Sequence, residues 1–331
     1  MESAGIPVSA FIAAAMLATG PLAVQAAPLE LVATIPMPGV KGRIDHFAVD
    51  VKGRRLFIAA LGNDTVEVLD VASNRHMKSI PGFGEPQGVL YLPQSNRLYV
   101  ASGSANRVDV LDAASLATVK RIDKLDDADN VRFDAAAGTV MVGYGKGALR
   151  LLKADDAQSA GDIKLAGHPE SFQLETEGKR AFVNVPTSQH VAVVDRAKRE
   201  VIATWPVSGA KSNFPMALDE KGRRLFVGAR SPAVLLVYDI DMGKNVAKLP
   251  IGGDTDDVFF DTQRKRIYVV CGEGRIDVFR QETTDRYPLE TSIKTAPRAR
   301  TGLFVPELEK LYVAAPTTGS SAARVLVYQV R

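Results

Sequence analysis

The chain has 331 residues, of which 46% are hydrophobic and 24% charged, with 27 glycines and a formal net charge of +3. This is globular composition, and it excludes a collagen-like repeat, an intrinsically disordered chain and a multi-span membrane protein. The 41 basic and 38 acidic residues lack the basic excess of a dedicated duplex-DNA binder, and the single cysteine, Cys271, excludes an intramolecular disulfide and a multi-cysteine zinc site.

The N-terminal stretch is different in kind. No Lys or Arg precedes Lys41, Val8 to Ala18 is almost wholly apolar, and Gly20-Pro21 breaks the segment. An apolar run of this length is too short to span a bilayer. Val24 and Ala26 are small residues at the two positions a signal peptidase reads, so residues 1–26 are expected to be a secretory leader cut after Ala26. Glu2 and the lack of a basic side chain depart from the usual pattern. The mature chain, 27–331, is expected to have no transmembrane segment and to reside in the periplasm or outside the cell.

Beyond the leader the sequence repeats. Arg55-Leu56-Phe57-Ile58, Arg97-Leu98-Tyr99-Val100, Thr139-Val140-Met141-Val142, Arg180-Ala181-Phe182-Val183, Arg224-Leu225-Phe226-Val227, Arg266-Ile267-Tyr268-Val269 and Lys310-Leu311-Tyr312-Val313 recur at intervals of 42, 42, 41, 44, 42 and 44 residues. Each copy carries four short strand signals. In the first, Phe47 to Asp50 is followed by the Lys52-Gly53 turn, Leu56 to Leu61, the turn at Gly62-Asn63-Asp64, Thr65 to Val71, and His76 to Ile80. The middle strands are continuous apolar runs, so both faces of each small sheet must be covered, as they are when sheets stack around an axis. A period of 40 to 45 residues with four strands per unit predicts a single-domain, all-β, seven-bladed β-propeller.

The seventh copy ends after its third strand, Arg324 to Val330. Leu31 to Gly39 resembles the fourth strands Val201 to Val207 and Val246 to Ile251, so the N-terminal strand of the mature chain is expected to complete blade 7 and protect its edge. Asp70, Asp112, Asp195 and Asp239 recur after the third strand, where a short carboxylate accepts backbone N–H bonds of the following turn. Blades 3 and 6 have Lys153 and Arg280 there and should bond differently.

The stretches RLFIAALGNDTVEVLDVASNRHMKSI (Arg55 to Ile80) and RLYVASGSANRVDVLDAASLATVKRI (Arg97 to Ile122) resemble the YVTN repeat of bacterial surface and periplasmic propellers, the family that includes YncE-like proteins. The resemblance covers the whole mature chain and is specific for fold, because the motif residues are structural. It implies an exported seven-bladed propeller with a menu of roles: related architectures include single-stranded-DNA binders, the haem d1 domain of nitrite reductase and amine dehydrogenase subunits.

Chemistry is expected at one mouth of the central channel, where the segments leading into the innermost strands are polar in every blade: 43–46, 85–88, 126–130, 168–171, 213–215, 254–257 and 298–301. From these we take Asp45, His46, Gln87, Asn130, His168, Asn213 and Arg300 as candidate ligand or partner contacts. His46, beside Asp45, is a candidate general base or axial ligand to a haem-like cofactor. Asp129, Glu170, Asp256 and Asp257, with Asn130 and Asn213, offer oxygen ligands to a divalent cation such as Ca²⁺. Arg43, Lys211, Arg298 and Arg300 share the rim, and ion pairing among these groups would compete with metal binding.

His168 and His190 belong to blade 4, roughly opposite blade 1, so a three-histidine metal site with His46 is not expected. His190 reads as a solvated loop residue, and so does His76 near the outer edge. Gly143 to Gly147 has no helix behind it and reads as a hairpin turn. Cys271 stands where other blades have Ala60, Ser102, Ala229 and Ala315, a small buried slot, and no nucleophile motif is present. Phe47, Phe214 and Phe259 near the channel could stack bases, but the acidic mouth would repel phosphate, which argues against nucleic acid. The expectation is an exported binding or scaffold module that recognises a protein or small ligand at the mouth. The alternative is a cation-dependent, lactonase-like hydrolase or a haem-type carrier using the same mouth.

Overall fold

From residue 27 on, short β-rich runs separated by turn residues leave no segment long enough for a stable helix, and among the described residues the computed structural model is all-β, with only single 3-10 turns besides strands. It describes residues 27–319 and 321–331 together with residues 1, 2 and 5, so the expected leader lies almost wholly outside the described residues. None of the helices among them is long and apolar enough to cross a membrane. The strands form seven four-stranded antiparallel sheets. In blade 1 they are Phe47–Asp50, Arg55–Ala60, Thr65–Asp70 and Arg75–Pro81, paired in that order. Blades 2 to 6 repeat the meander.

The continuous apolar character of the second strands has the expected consequence. Leu56, Phe57 and Ile58 are all fully buried although they point alternately to opposite faces. The buried apolar residues fall into clusters that each join two neighbouring sheets. One holds Phe57 and Val68 of blade 1 with Leu98 and Val100 of blade 2, and another joins Leu56 and Ile58 to Tyr312 and Val325 of blade 7. Burial between sheets, not within one sheet, therefore holds the ring together.

In blade 7 the sheet order runs from Gly302–Val305 through Lys310–Ala315 and Arg324–Val330 to Leu29–Pro36 as the outermost strand. Leu29 faces Val330 and Pro36 faces Arg324, with one register shift between Leu31 and Ala33. Ile35 and Met37 have no exposed surface and pack in the cluster shared by blades 7 and 1.

The recurrent turn carboxylates act as caps. Asp70 accepts from the N–H groups of Ala72 and Ser73, Asp112 from Ala114 and Ser115, Asp195 from Ala197 and Lys198, and Asp239 from Asp241 and Met242. In blade 3 the cap is supplied instead by Asp156, which accepts from Gln158 N–H, and in blade 6 Arg280 N–H donates to the carbonyl of Pro288. The repeat arginine has a job of its own. Arg55 pairs with Asp50 at 2.7 Å and reaches the Ala113 carbonyl of blade 2, while Arg180 pairs with Glu175 and reaches Ile240 of blade 5 at 2.6 Å. It staples neighbouring blades on the face opposite the channel mouth.

One expectation is overturned. His76 is not a solvated residue: its Nε2 lies 2.7 Å from the Glu67 carboxylate, which is fully buried and also accepts from Ser79 and Thr65. Asp109 and Asp277 occupy the same register on the third strands of blades 2 and 6, held by Arg107 and Arg121 and by Arg275 and Ser292. A carboxylate in the middle of a buried strand demands such partners, and the start of the same strand and the adjacent outer strand supply them.

Candidate functional site

Strand register stacks the innermost residues of the seven blades into levels. Asp45, Asp129 and Glu170 each donate their N–H to the equivalent carbonyl of the second strand, those of Ala59, Gly143 and Asn184. Extending the register to the other blades places Asp45, Gln87, Asp129, Glu170, Phe214, Asp256 and Arg300 at one level, the lip of the channel. The level below holds His46, Gly88, Asn130, Ser171, Pro215, Asp257 and Thr301. A third level holds Ala48, Leu90, Arg132, Gln173, Ala217, Phe259 and Leu303, separated from the second by the residues that face Val100, Val142 and their equivalents. Four of the seven lip residues are carboxylic acids.

The lip encloses a vestibule of about 140 Å³, lined among others by Arg43, Asp45, His46, Asp129, His168, Glu170, Arg230 and Asp256. Its acids fall into two groups. Asp45 and Asp256 are paired: Arg43 contacts Asp45 at 2.7 Å, and Arg230 and Arg300 contact the two oxygens of Asp256 at 2.5 and 3.0 Å. Asp254 completes this half by accepting both bonds of Arg300 Nη1. Asp129 and Glu170 are not paired in this way. Among the described residues Glu170 has no side-chain hydrogen bond and no ion pair, and Asp129 receives only the Asn130 amide at 3.3 Å.

The electrostatics follow from this division. Burial, with Asp129, Asp256 and Asp45 alongside, pushes Glu170 up to about 9, so it is protonated at neutral pH. Burial also pushes Asp129 up to about 6, with Asp45 adding to the effect and His46 opposing it. Asp256 is raised too, by burial, with Arg230 acting against it. Burial works against a charge on His46, but Asp257 and Asp45 outweigh it and push the imidazole up to about 10.

His46 crosses the channel axis. Its Nε2 lies 3.6 Å from Asp45 and 3.4 Å from the Asn130 amide, and its Nδ1 lies 3.6 Å from Asp257 of blade 6. Gly88 of blade 2 lies between blades 1 and 3, and a Cβ there would come within 2.2 Å of the Asp129 carbonyl. Only glycine fits this close approach. With both ring nitrogens facing carboxylates and the imidazole held as a cation, His46 serves as a charged partition and is a poor donor to a haem iron.

The proposed cation ligands are distributed differently from one shared site. Asp256 is engaged by arginines, and Asp257 accepts from Gly302 N–H at 2.8 Å and faces His46. Asp129 and Glu170 instead converge with His168, and one ligand atom from each of these three lies within 4.8 Å of the others. His168 is oriented by the Gly145 carbonyl at 2.7 Å. Gln87 is at the lip and donates to Asp127 at 3.1 Å. Asn213 is fully buried and bonded to Asn184 and the His190 carbonyl, because a register shift between Asn213 and Met216 gives the lip position to Phe214. His190 is half-buried at a strand start, its pKa lowered by burial.

Two residues of the channel were missed by motif reading. Arg230 extends from a second strand that runs on to Ser231, where other repeats turn, and its guanidinium lies 4.0 Å over the Phe214 ring. Arg132 stands in the innermost strand where other blades have an apolar residue or glutamine. Aligning VRFD with FAVD would have exposed it.

No protein-family model and no curated protein matches the chain. Similarity appears at the level of solved structures. Hydrazine synthase of Kuenenia stuttgartiensis aligns with a TM-score of 0.76 and 17% identity over 89% of this chain and 99% of that one. A chain of the mitotic checkpoint complex aligns with a TM-score of 0.78 and 13% identity over 98% of this chain and 99% of that one. At such identities the likeness establishes the seven-bladed β-propeller fold, an architecture that commonly serves as a protein-interaction scaffold, and nothing narrower.

Proposed function

We propose that the chain is an exported binding module of the YVTN propeller type that captures a positively charged group of a small ligand or protein partner at the channel lip. The observation that carries this reading is the imbalance of the vestibule. Asp45 and Asp256 are matched by arginines, whereas Asp129 and Glu170 stand side by side with no cationic side chain in hydrogen-bonding contact. Rigid blades hold these acids in place before a ligand arrives, so little ordering cost opposes binding. The YVTN assignment rests on the repeat motif, and export rests on the apolar leader.

The test is isothermal titration of the purified protein with spermidine, Ca²⁺ and Zn²⁺, repeated on the Asp129→Asn/Glu170→Gln variant. Saturable binding of a cation to the wild type, weakened at least tenfold in the variant while the circular dichroism spectrum is unchanged, is the expected result. Failure of all three cations to bind, or equal binding by the variant, would overturn the reading.

The convergence of Asp129, His168 and Glu170 favours a second form of the same reading, in which the captured cation is a metal that polarises a carbonyl for hydrolysis. Metal-dependent hydrolysis of a simple lactone, abolished by His168→Ala, would support that form. Metal binding without hydrolysis would leave the binding module alone.

A further inference from the structure

Below the lip, and separate from it, the channel contains a second chamber of about 350 Å³. His46 lines both spaces and divides them. The chamber wall at the third level is mostly apolar, with Leu90, Phe259 and Leu303 on different blades, and it carries Arg132; His46 and Asp257, which face each other, line the chamber at the level above. Arg132 is half-buried. Among the described residues its guanidinium hydrogen-bonds through Nη1 to its neighbour's carbonyl on Val131 at 2.9 Å and lies 5.6 Å from the Phe172 ring. Among the described residues no carboxylate approaches it within 4.0 Å, and Asp257 and Asp129 act on it only at longer range. Gln173, beside it, has its amide nitrogen committed to the Met216 carbonyl at 3.0 Å.

This arrangement is costly to the fold alone. A guanidinium half withdrawn from water with no anion in contact loses hydration that the distant Asp257 and Asp129 repay only in part, and an apolar side chain of similar length would suit the wall better. It is suited to a ligand. Arginine offers a planar fork of N–H donors that matches a carboxylate in two parallel bonds, and the surrounding Leu90, Phe259 and Leu303 would cover an apolar body.

We propose that the channel chamber is a binding site for a small monocarboxylate with an apolar body, its carboxylate paired with Arg132 and its hydrocarbon portion packed on Phe259 and Leu303. The site is independent of the lip: it takes an anion where the lip takes a cation, and neither depends on the other being occupied.

Calorimetric titration with a panel of straight-chain acids from butanoate to decanoate, together with benzoate, hexanamide and inorganic phosphate, tests the proposal. At least one monocarboxylate is expected to bind saturably, and hexanamide and phosphate at least tenfold more weakly. Arg132→Met is expected to abolish binding and Arg132→Lys to weaken it. The ¹⁵Nε resonance of Arg132 should shift on titration of the wild type, a readout that needs no variant. The ligand-free Arg132→Met protein should melt no lower than the wild type. Absence of binding across the panel, equal binding by Arg132→Met, or phosphate binding as tightly as the best monocarboxylate would overturn the proposal. So would a fall of several degrees in the melting temperature of ligand-free Arg132→Met, which would assign the arginine to the fold.

Discussion

Ile35→Ala measures how far the N-terminal strand holds the ring closed. Ile35 is fully buried between blades 7 and 1, where it packs with Val325, Val327 and Ile58, whereas Leu31 on the same strand is 52% exposed. Truncating a buried isoleucine to alanine costs about 2 to 5 kcal/mol, transfer and cavity terms together. In a chain of this size each kcal/mol lowers the melting temperature by about 2 °C, so a fall of roughly 4 to 10 °C is expected. Leu31→Ala, which shares the backbone pairing but not the burial, should stay within about 0.5 kcal/mol of the wild type. Deleting residues 27–39 is the severe form of the same test. It removes the burial of Leu29, Ile35 and Met37, worth about 1.5 to 3 kcal/mol each, which together approaches the whole stability of an ordinary domain. Urea denaturation followed by tryptophan fluorescence, with Trp205 as reporter in blade 4, reads these effects away from the altered strand. Equal shifts for Ile35→Ala and Leu31→Ala, or an unchanged melting temperature after the deletion, would refute the closure argument.

Other consequences follow from buried charge. Burial opposes the charge on Glu67, but hydrogen bonds from His76, Ser79 and Thr65 win and hold its pKa below the ordinary 4.5. Its contribution to stability is thus present above about pH 4.5 and lost as the pH falls through the depressed folded value; Glu67→Gln should flatten that part of the stability profile, measured by urea midpoints from pH 3 to 6. Glu170 behaves in the opposite sense, since its folded pKa is raised: the unfolded chain ionises first, and stability falls as the pH climbs from about 4.5 towards 9. Glu170→Gln should accordingly stabilise the ligand-free protein at pH 8, by on the order of 1 to 3 kcal/mol, and leave it unchanged at pH 4; a destabilised variant at pH 8 would contradict the assignment. Burial pushes the Cys271 thiol up to about 12, with no exposed surface, so a disulfide reagent should fail to modify it in the native protein and react fully in denaturant.

The number of blades, the four strands in each, the apolar second strands and the turn carboxylates were all legible in the amino-acid order, because each is a local pattern that recurs at a fixed period. Asp70, Asp112, Asp195 and Asp239 cap turns two and three residues away, and such contacts need no knowledge of the rest of the chain. The richness of the channel mouth in acids was legible for the same reason. Which of those acids are free was not. Arg230 neutralises Asp256 from a different blade, and His46 reaches Asp257 and Asn130 across the axis. Likewise His76 finds Glu67 only because a register shift in the outer strand brings them together. Charge pairing and burial depend on distances between residues far apart in the chain, so only the closed ring decides whether an ionisable side chain meets water, a counter-ion or neither.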